Sequence, residues 1–457
     1  MAASQGANLQ MEEICARTGW SRKELARRVK QRARVRGMLL NTDASRIRHW
    51  LEGQHPQPPV PELLSELFSE ELGYPITPTD LGLDATDEHE VGLRYSESIT
   101  ATVVAVAELG RYDVRRSGFL RHGMFLAVAA VMPSRDWLLA VLDATEPRPH
   151  SRIGLAQVSV IRETFAGFLE IQAVHGGGHG RQALAEYLTS RVLPLLHNAD
   201  PDREADAALF AAASEQTGLL GWMAMDDNRP ALAQRYLIQA LRLAQESGDI
   251  AHGAEVLADM SQQAYMLGYP REALQLAIAG RHGLAKAYSP APAARLLARE
   301  ALAYAALGDS KAAARAVVES ERVFEHIDPE SEPEWARFTD SASLNGVWAD
   351  TFVDLGRPVE AARFARHSIS AAVSQNRVPC VARSQARLAR AALIRRDLDA
   401  ALHAAHRTVD LSATVQSSRC IAAVRDLQSR ISPYRTIAAA RDFTDRAHEV
   451  LTQASLN

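Results

Sequence analysis

The sequence predicts an all-α protein, an N-terminal helix-turn-helix domain followed by an α-helical superhelical repeat domain. Three observations carry this. Alanine and leucine dominate while only 6% of the chain is aromatic, a composition that favours helices. Short apolar stripes at helical spacing fill the first eighty residues. From residue 228 onward, small residues recur in register five times at intervals near 40, as stacked helical hairpins require. With 457 residues and 47% hydrophobic content, two or three domains are expected. The chain divides into a helix-turn-helix domain at 11–83, a linker at 84–92, a helical middle segment at 93–199 and the repeat domain at 200–457.

Residues 1–10 are polar and expected to be disordered. A short helix is expected over 11–18, with Ile14 and Cys15 inward, ended by Gly19-Trp20. Ser21 to Ala26 then opens a second helix with a capping box, Ser21 and Glu24 at i and i+3. Its N-terminal dipole and the cations Arg22, Lys23, Arg27 and Arg28 suit phosphates; Lys30, Arg32, Arg34 and Arg36 extend the basic run. The organising stretch is Thr42 to Gly53. Asp43 caps a helix in which Ile47 points inward with Ala44, Trp50 and Leu51 on its side. Ser45 and His49 fall opposite, with Arg46 and Arg48 on the flanks. After Gly53 and the turn His55 to Pro59, an amphipathic helix with apolar residues at 63, 64, 67 and 68 ends near Gly73 and closes a small core over Ile47 and Trp50. Residues 1–60 hold 11 Lys+Arg against 5 Asp+Glu, a net of +6 that leaves −10 for the other 397. A basic end on an acidic body points to a polyanionic partner for that end alone.

The run Gly19-Trp20-Ser21-Arg22-Lys23-Glu24-Leu25-Ala26-Arg27-Arg28, followed by Ser45 to Trp50 and Gly53, resembles the Xre/lambda-repressor-like DNA-binding fold. Arg48 to Gln54 through Pro58-Pro59-Val60-Pro61-Glu62-Leu63, with Leu72-Gly73 and Ile76-Thr77-Pro78, is similar to the actinomycete branch of that family. The resemblance implies a transcriptional regulator, often of differentiation or secondary metabolism, whose module is joined to a tetratricopeptide-like body. On that reading the helix at 43–52 enters the major groove of double-stranded DNA. Ser45, Arg46, Arg48 and His49 reach base edges, and Ser21, Arg22, Lys23, Arg27 and Arg28 hold phosphates. A single small module seldom binds tightly enough, so a homodimer is expected. One departure stands out: Leu25 and Ile47 are 22 residues apart, wider than the family pattern. The extra piece, Lys30 to Asn41, lengthens the second helix or forms a basic loop.

In the middle segment, Pro75 to His89 reads as a linker and helical patterns follow at 93–109, 113–131, 152–174 and 181–197. The apolar run Met124 to Met132 is expected to stop at Pro133. His175-Gly176-Gly177-Gly178-His179-Gly180 interrupts; it lacks the Lys-Ser/Thr of a P-loop and the further ligands of a metal site, and reads chiefly as a flexible turn. The resemblance extends over this turn and the helix after it.

The repeat is anchored at Asn228, Gly268, Gly308, Gly356 and Arg395. Five residues after each anchor stands alanine: Ala233, Ala273, Ala313, Ala361 and Ala400. Seven before stand Gly221, Ser261, Ala301, Ala349 and Leu388; twelve after stand Ala240, Gly280, Ser320, Ser368 and Arg407. Leu388 and Arg407 mark the last of these as looser; residues 419–451 read as a degenerate sixth unit or a capping pair. The pattern resembles the tetratricopeptide repeat (TPR), with longer units, and implies a superhelix with a concave groove. Groove-facing candidates are Trp222, Gln262, Tyr265, Arg295, Asp350 and Gln385, suited to a peptide, small-molecule or protein ligand. Alternatively the groove is solvated or filled by the chain's own segments.

Cys15, Cys380 and Cys420 form neither a disulfide framework nor a zinc pattern. No signal-peptide pattern or bilayer-length apolar run appears, so a cytoplasmic protein with no membrane partner is expected. No Gly-x-Ser-x-Gly, Walker, Rossmann or HExxH motif occurs; no enzyme, cofactor or metal is expected. A second reading is a TPR adaptor carrying a vestigial helix-turn-helix.

Overall fold

The structure is a computed structural model. It describes residues 8–35, 40, 42–54, 56, 60–72, 76, 80–83, 91–96, 98–114, 125–143, 156–196, 199 and 204–456. The linker at 84–90, residues 1–7 and most of the turn at 55–59 lie outside them. Among the described residues the fold is all-α, without a strand. Two compact units part between Val91 and Gly92.

The first unit holds α1 (Leu9–Thr18), α2 (Arg22–Val35), α3 (Ala44–Leu51) and α4 (Val60–Leu72). The expected disorder at 1–10 fails at its end. Asn8 caps α1, accepting from Met11 N at 3.0 Å, and its Nδ2 donates to the Leu81 and Gly82 carbonyls at 2.9 and 3.1 Å. Gly19 stops α1 at φ +67°, where only glycine is unstrained. Met11, Leu25, Val29, Ile47, Leu64 and Phe68 are buried together, and Trp20 stacks on Phe68 at 5.7 Å. Part of the extra piece between Leu25 and Ile47 is helix: α2 runs fourteen residues, to Val35. Positions 36–39 and 41 lie outside the described residues.

In the second unit, six antiparallel pairs stack: α10/α11 (Glu204–Asp226, Pro230–Ser247), α12/α13 (Ile250–Met266, Pro270–Gly283), α14/α15 (Pro290–Ala306, Ser310–Phe324), α16/α17 (Ser341–Asp354, Pro358–Ser374), α18/α19 (Val378–Ile394, Leu398–Ser412) and α20/α21 (Ser418–Ile431, Ala438–Leu456). The first helix of each pair touches the first helix of the next, so these line the inner face. The anchors are the turn residues between partners. Asn228, Gly268, Gly308 and Gly356 have φ of +55, +84, +82 and +66°. In the fifth pair the left-handed residue is Arg396, at φ +61°, not Arg395. Counted from Arg396, the three columns gain Ala401, Ala389 and Thr408, all buried with no exposed surface. The fifth pair is therefore as tight as the others, and the looseness expected from Leu388 and Arg407 came from a one-residue slip in register. Small residues are needed because the helices touch. A Cβ on Gly221 would meet Leu237 at 2.8 Å, and the Ser261, Ser320 and Ser368 hydroxyls donate to the carbonyls of Ala273, Ala294 and Ala342 at 2.6–2.7 Å.

The middle segment belongs to the same unit and is split between its two faces. Residues 92–96 lie along α11, where Gln239 Nε2 donates to the Gly92 and Arg94 carbonyls at 2.9 Å. α5 (Ile99–Val114) and α6 (Ala127–Asp143) pack on the outer helices α11 and α13. Of the helix expected at 113–131, residues 115–124 lie outside the described ones; the stop expected at Pro133 is corrected, because α6 runs through it. Its Trp137 is fully buried in a slot where a Cβ on Gly253 or Gly283 would stand 2.6 or 2.4 Å from the indole. α7 (Ala156–His175) goes to the inner face, against α10 and α18. α8 (Arg181–Tyr187) continues through one wide π turn, Leu188–Val192, into α9 (Leu193–Leu196).

The His-Gly turn is a splice. Gln416 N donates to the His175 carbonyl at 2.9 Å, and Gly178 N to the Gln416 carbonyl at 3.3 Å. Asp226, at the end of α10, accepts from Gly177 N, Ser417 Oγ and Arg419 Nε at 2.6, 2.8 and 2.6 Å. A Cβ on Gly177 would strike Asp226 and the Met223 backbone below 3 Å, so the glycine there serves close approach. The first pair thus meets the sixth through this turn.

Candidate functional sites

Two sites follow, one in each unit. On α3, the Asp43 carboxylate accepts from Arg46 N at 2.9 Å. Hydrogen bonding to that backbone N–H holds Asp43 below the usual carboxylate range. Ile47 and Trp50 are buried, while Ser45, Arg46 and Arg48 are exposed and His49 half-exposed. Ala44, expected inward, is exposed at the first position of the helix. Arg48 lies 3.6 Å from Glu52 and 3.5 Å from the His49 ring.

The expected phosphate-binding residues fare unequally. Ser21 Oγ accepts from Glu24 N at 3.2 Å, one half of the capping box. Glu24 turns the other way, to Arg27 Nε and Arg28 Nε, both at 2.9 Å. Those hydrogen bonds, Arg27 first, hold Glu24 down to about 2. The Arg28 guanidinium also lies over the Trp20 ring at 4.2 Å. Farther along, Arg32 donates to Glu70 at 2.8 Å. Arg22 and Lys23 stay exposed at the helix start. The cations of α2 are thus divided between solvent and acidic neighbours, which charge counting could not reveal.

The second site is a cavity of about 370 Å³ on the inner face of the repeat. Trp222, Gln262, Tyr265, Arg295 and Asp350 line it; Gln385 does not. Gln385 stands eleven residues before Arg396, off the inward positions of α18, which are Arg383, Arg387 and Arg390, and all three of those line the cavity. Inward positions lie thirteen, nine and six residues before each left-handed turn residue. The column at nine, Leu219, Asp259, Arg299, Val347 and Arg387, lines the cavity throughout; the sequence reading passed over it.

Sequence-distant pieces close the site. α7 supplies Phe165 and Leu169, and the insertion that lengthens one repeat from 40 to 48 supplies Trp335 and Phe338. Trp335 packs on His252 at 5.1 Å, and Arg419 lies over Trp222 at 4.4 Å. Ion pairs knit the wall: Arg295 with Glu255 and Asp259, and Arg387 with Asp350 at 2.7 Å. Burial pushes the Glu215 carboxyl up to about 7 despite Arg162 at 3.4 Å, and lowers His252 below the usual histidine range.

Residues 11–84 match the family model described as the SP15 N-terminal domain. That match covers the first unit's helices and leaves the repeat outside it. None of the curated proteins matches the chain. Among the described residues no helix is long and apolar enough to cross a membrane.

Proposed function

We propose that the chain is a sequence-specific, DNA-binding transcriptional regulator, of development or secondary metabolism, working in the cytoplasm as a homodimer. Its TPR-like body would serve dimerisation and the sensing of a ligand or partner, and it has no catalytic role. The observation that carries this is α3: a short, capped helix whose Ile47 and Trp50 face is buried while Ser45, Arg46 and Arg48 stand exposed. Such a helix suits major-groove entry, where an arginine donates to guanine O6 and N7. Arg22 and Lys23, exposed at the start of α2, suit phosphates beside it.

One observation favours the adaptor reading instead. Glu24, Glu66 and Glu70 occupy Arg27, Arg28 and Arg32, which lowers the positive field a polyanion would meet. The two readings part on salt. Titrating full-length protein into a random-sequence duplex between 50 and 200 mM salt, a DNA binder should lose affinity with a log–log slope of about −0.9 per phosphate contact. Arg22→Ala/Lys23→Ala should flatten it by roughly two such contacts. A flat response in the wild type would leave the adaptor.

A further inference from the structure

The wall of the inner cavity carries seven arginines against five carboxylates. Most of those arginines have an acidic partner: Arg295 holds Glu255 and Asp259, Arg387 holds Asp350, Arg390 reaches Asp354, Arg377 holds Asp340 and Arg419 holds Asp226. Arg299 and Arg383 form no ion pair among the described residues. Arg299 is 5% exposed, and its Nε and Nη1 are buried with no hydrogen-bond partner; Arg383 Nη1 is in the same state. A buried guanidinium without an acceptor forfeits its hydration and receives nothing in return. Burial, reinforced by Arg419 and opposed by Asp259, brings Arg299 down to about 10, so it stays charged at neutral pH. Arg419 in turn is depressed by burial and by Arg383. Of these three neighbouring guanidiniums only Arg419 has an ion-pair partner, Asp226, while Asp259 and Asp350 act on Arg299 without pairing with it.

The lining also carries apolar surface, beside the arginines: Arg419 lies over the Trp222 ring at 4.4 Å. Trp222, Trp335, Phe165 and Leu169 face the same space. The volume lies within the range of small-molecule sites, roughly 300–1,000 Å³.

We propose that this cavity binds an amphipathic organic anion, its carboxylate or phosphate head held by Arg299 and Arg383 and its apolar body packed against Trp222, Trp335 and Phe165. A planar guanidinium matches either head group with paired N–H donors. This rests on the reading of the body as the sensing part of the protein and names the class of ligand sensed.

The test is calorimetry on the full-length chain with three probes of one shape: 2-naphthoate, 2-naphthyl phosphate and the neutral 2-naphthamide. One or both anions should bind at least about tenfold more tightly than the amide, as charge-assisted hydrogen bonds require. Arg299→Met should remove most of that preference and Arg299→Lys should keep part of it. Replacing an unpaired buried cation by an apolar isostere is tolerated, and Arg383→Met provides a second, independent probe of the same preference. Equal binding of amide and anions, no binding of either anion, or an undiminished preference in both methionine variants would overturn the proposal. Binding is read without DNA. Loss of the DNA-binding reading with anion preference intact would leave this inference standing, and the reverse result would remove it alone.

Discussion

At the scale of single residues, side chains whose role depends on near neighbours were legible. Asp43 caps α3 as its position before the helix requires, and Ile47 and Trp50 are buried as their spacing implies. Glu24 was legible only in part: its backbone N–H completes the cap at Ser21, but its carboxylate goes to Arg27 and Arg28, a choice among three neighbours that spacing leaves open. Glu215 stands thirteen residues before Asn228, an inward position of the repeat, but its altered strength was not legible, because its burial depends on α7 and on the residues after α15. Its folded-state value of about 7 lies above the ordinary 4.5. The folded state therefore favours the protonated form, and that contribution is complete below about pH 4.5 and lost as pH rises through about 7. Glu215→Gln should stabilise the protein at pH 8 by on the order of 3 kcal/mol and leave it unchanged near pH 4, as read by denaturant titration at both values. Equal effects at the two pH values would contradict the assignment. His252 contributes on the acid side, because its lowered value means stability is lost as pH falls below the unfolded histidine range.

At the scale of elements, the repeat was legible because one physical demand recurs: two helices in contact leave no room for a large side chain, and the chain must reverse through a left-handed residue. Glycine marks that residue in three pairs and asparagine in one, so those registers were plain. In the fifth it is Arg396. Nothing in an Arg-Arg-Asp run announces a positive φ, and a one-residue slip followed, which hid Arg383 and Arg390; Gln385 stands off the inward positions in either register. Arg396→Gly should relieve backbone strain and stabilise the protein by about 0.5–1 kcal/mol, net of the greater freedom of the unfolded chain. Gly356→Ala should cost a similar amount or more, since space around it is open and only the backbone objects. Both changes are read as shifts in denaturation midpoint at constant slope. A destabilised Arg396→Gly would contradict the turn geometry. α6 failed for a related reason. Proline normally ends a helix, but Trp137, four residues beyond Pro133, is anchored in the glycine slot of α12 and α13, and packing overrides the local preference.

At the scale of the whole molecule, the repeat was foreseeable as a set of pairs but not as an enclosed site. The inner cavity needs α7 from the middle segment, Trp335 from an insertion and Arg419 from the sixth pair, residues separated by more than two hundred positions. The Asp226–Arg419 link joins the first pair to the last. Burial opposes the Asp226 charge, yet Arg419 and Arg383 more than offset it and hold the carboxyl below its usual range. Asp226→Ala should cost roughly 3–5 kcal/mol, the cost of leaving a buried cation unpartnered, as measured by chemical denaturation. A loss below about 1 kcal/mol would mean that the two ends of the repeat are not joined there. How the first unit is used rests on α3, whose exposed face we propose reads a DNA sequence. The most direct measurement is a genome-wide selection of DNA fragments on purified full-length protein beside Arg46→Ala/Arg48→Ala. A shared sequence motif recovered by the wild type and absent from the variant is the predicted result, with two half-sites if the protein binds as a dimer. Recovery of no motif, or of the same motif by both proteins, would contradict it.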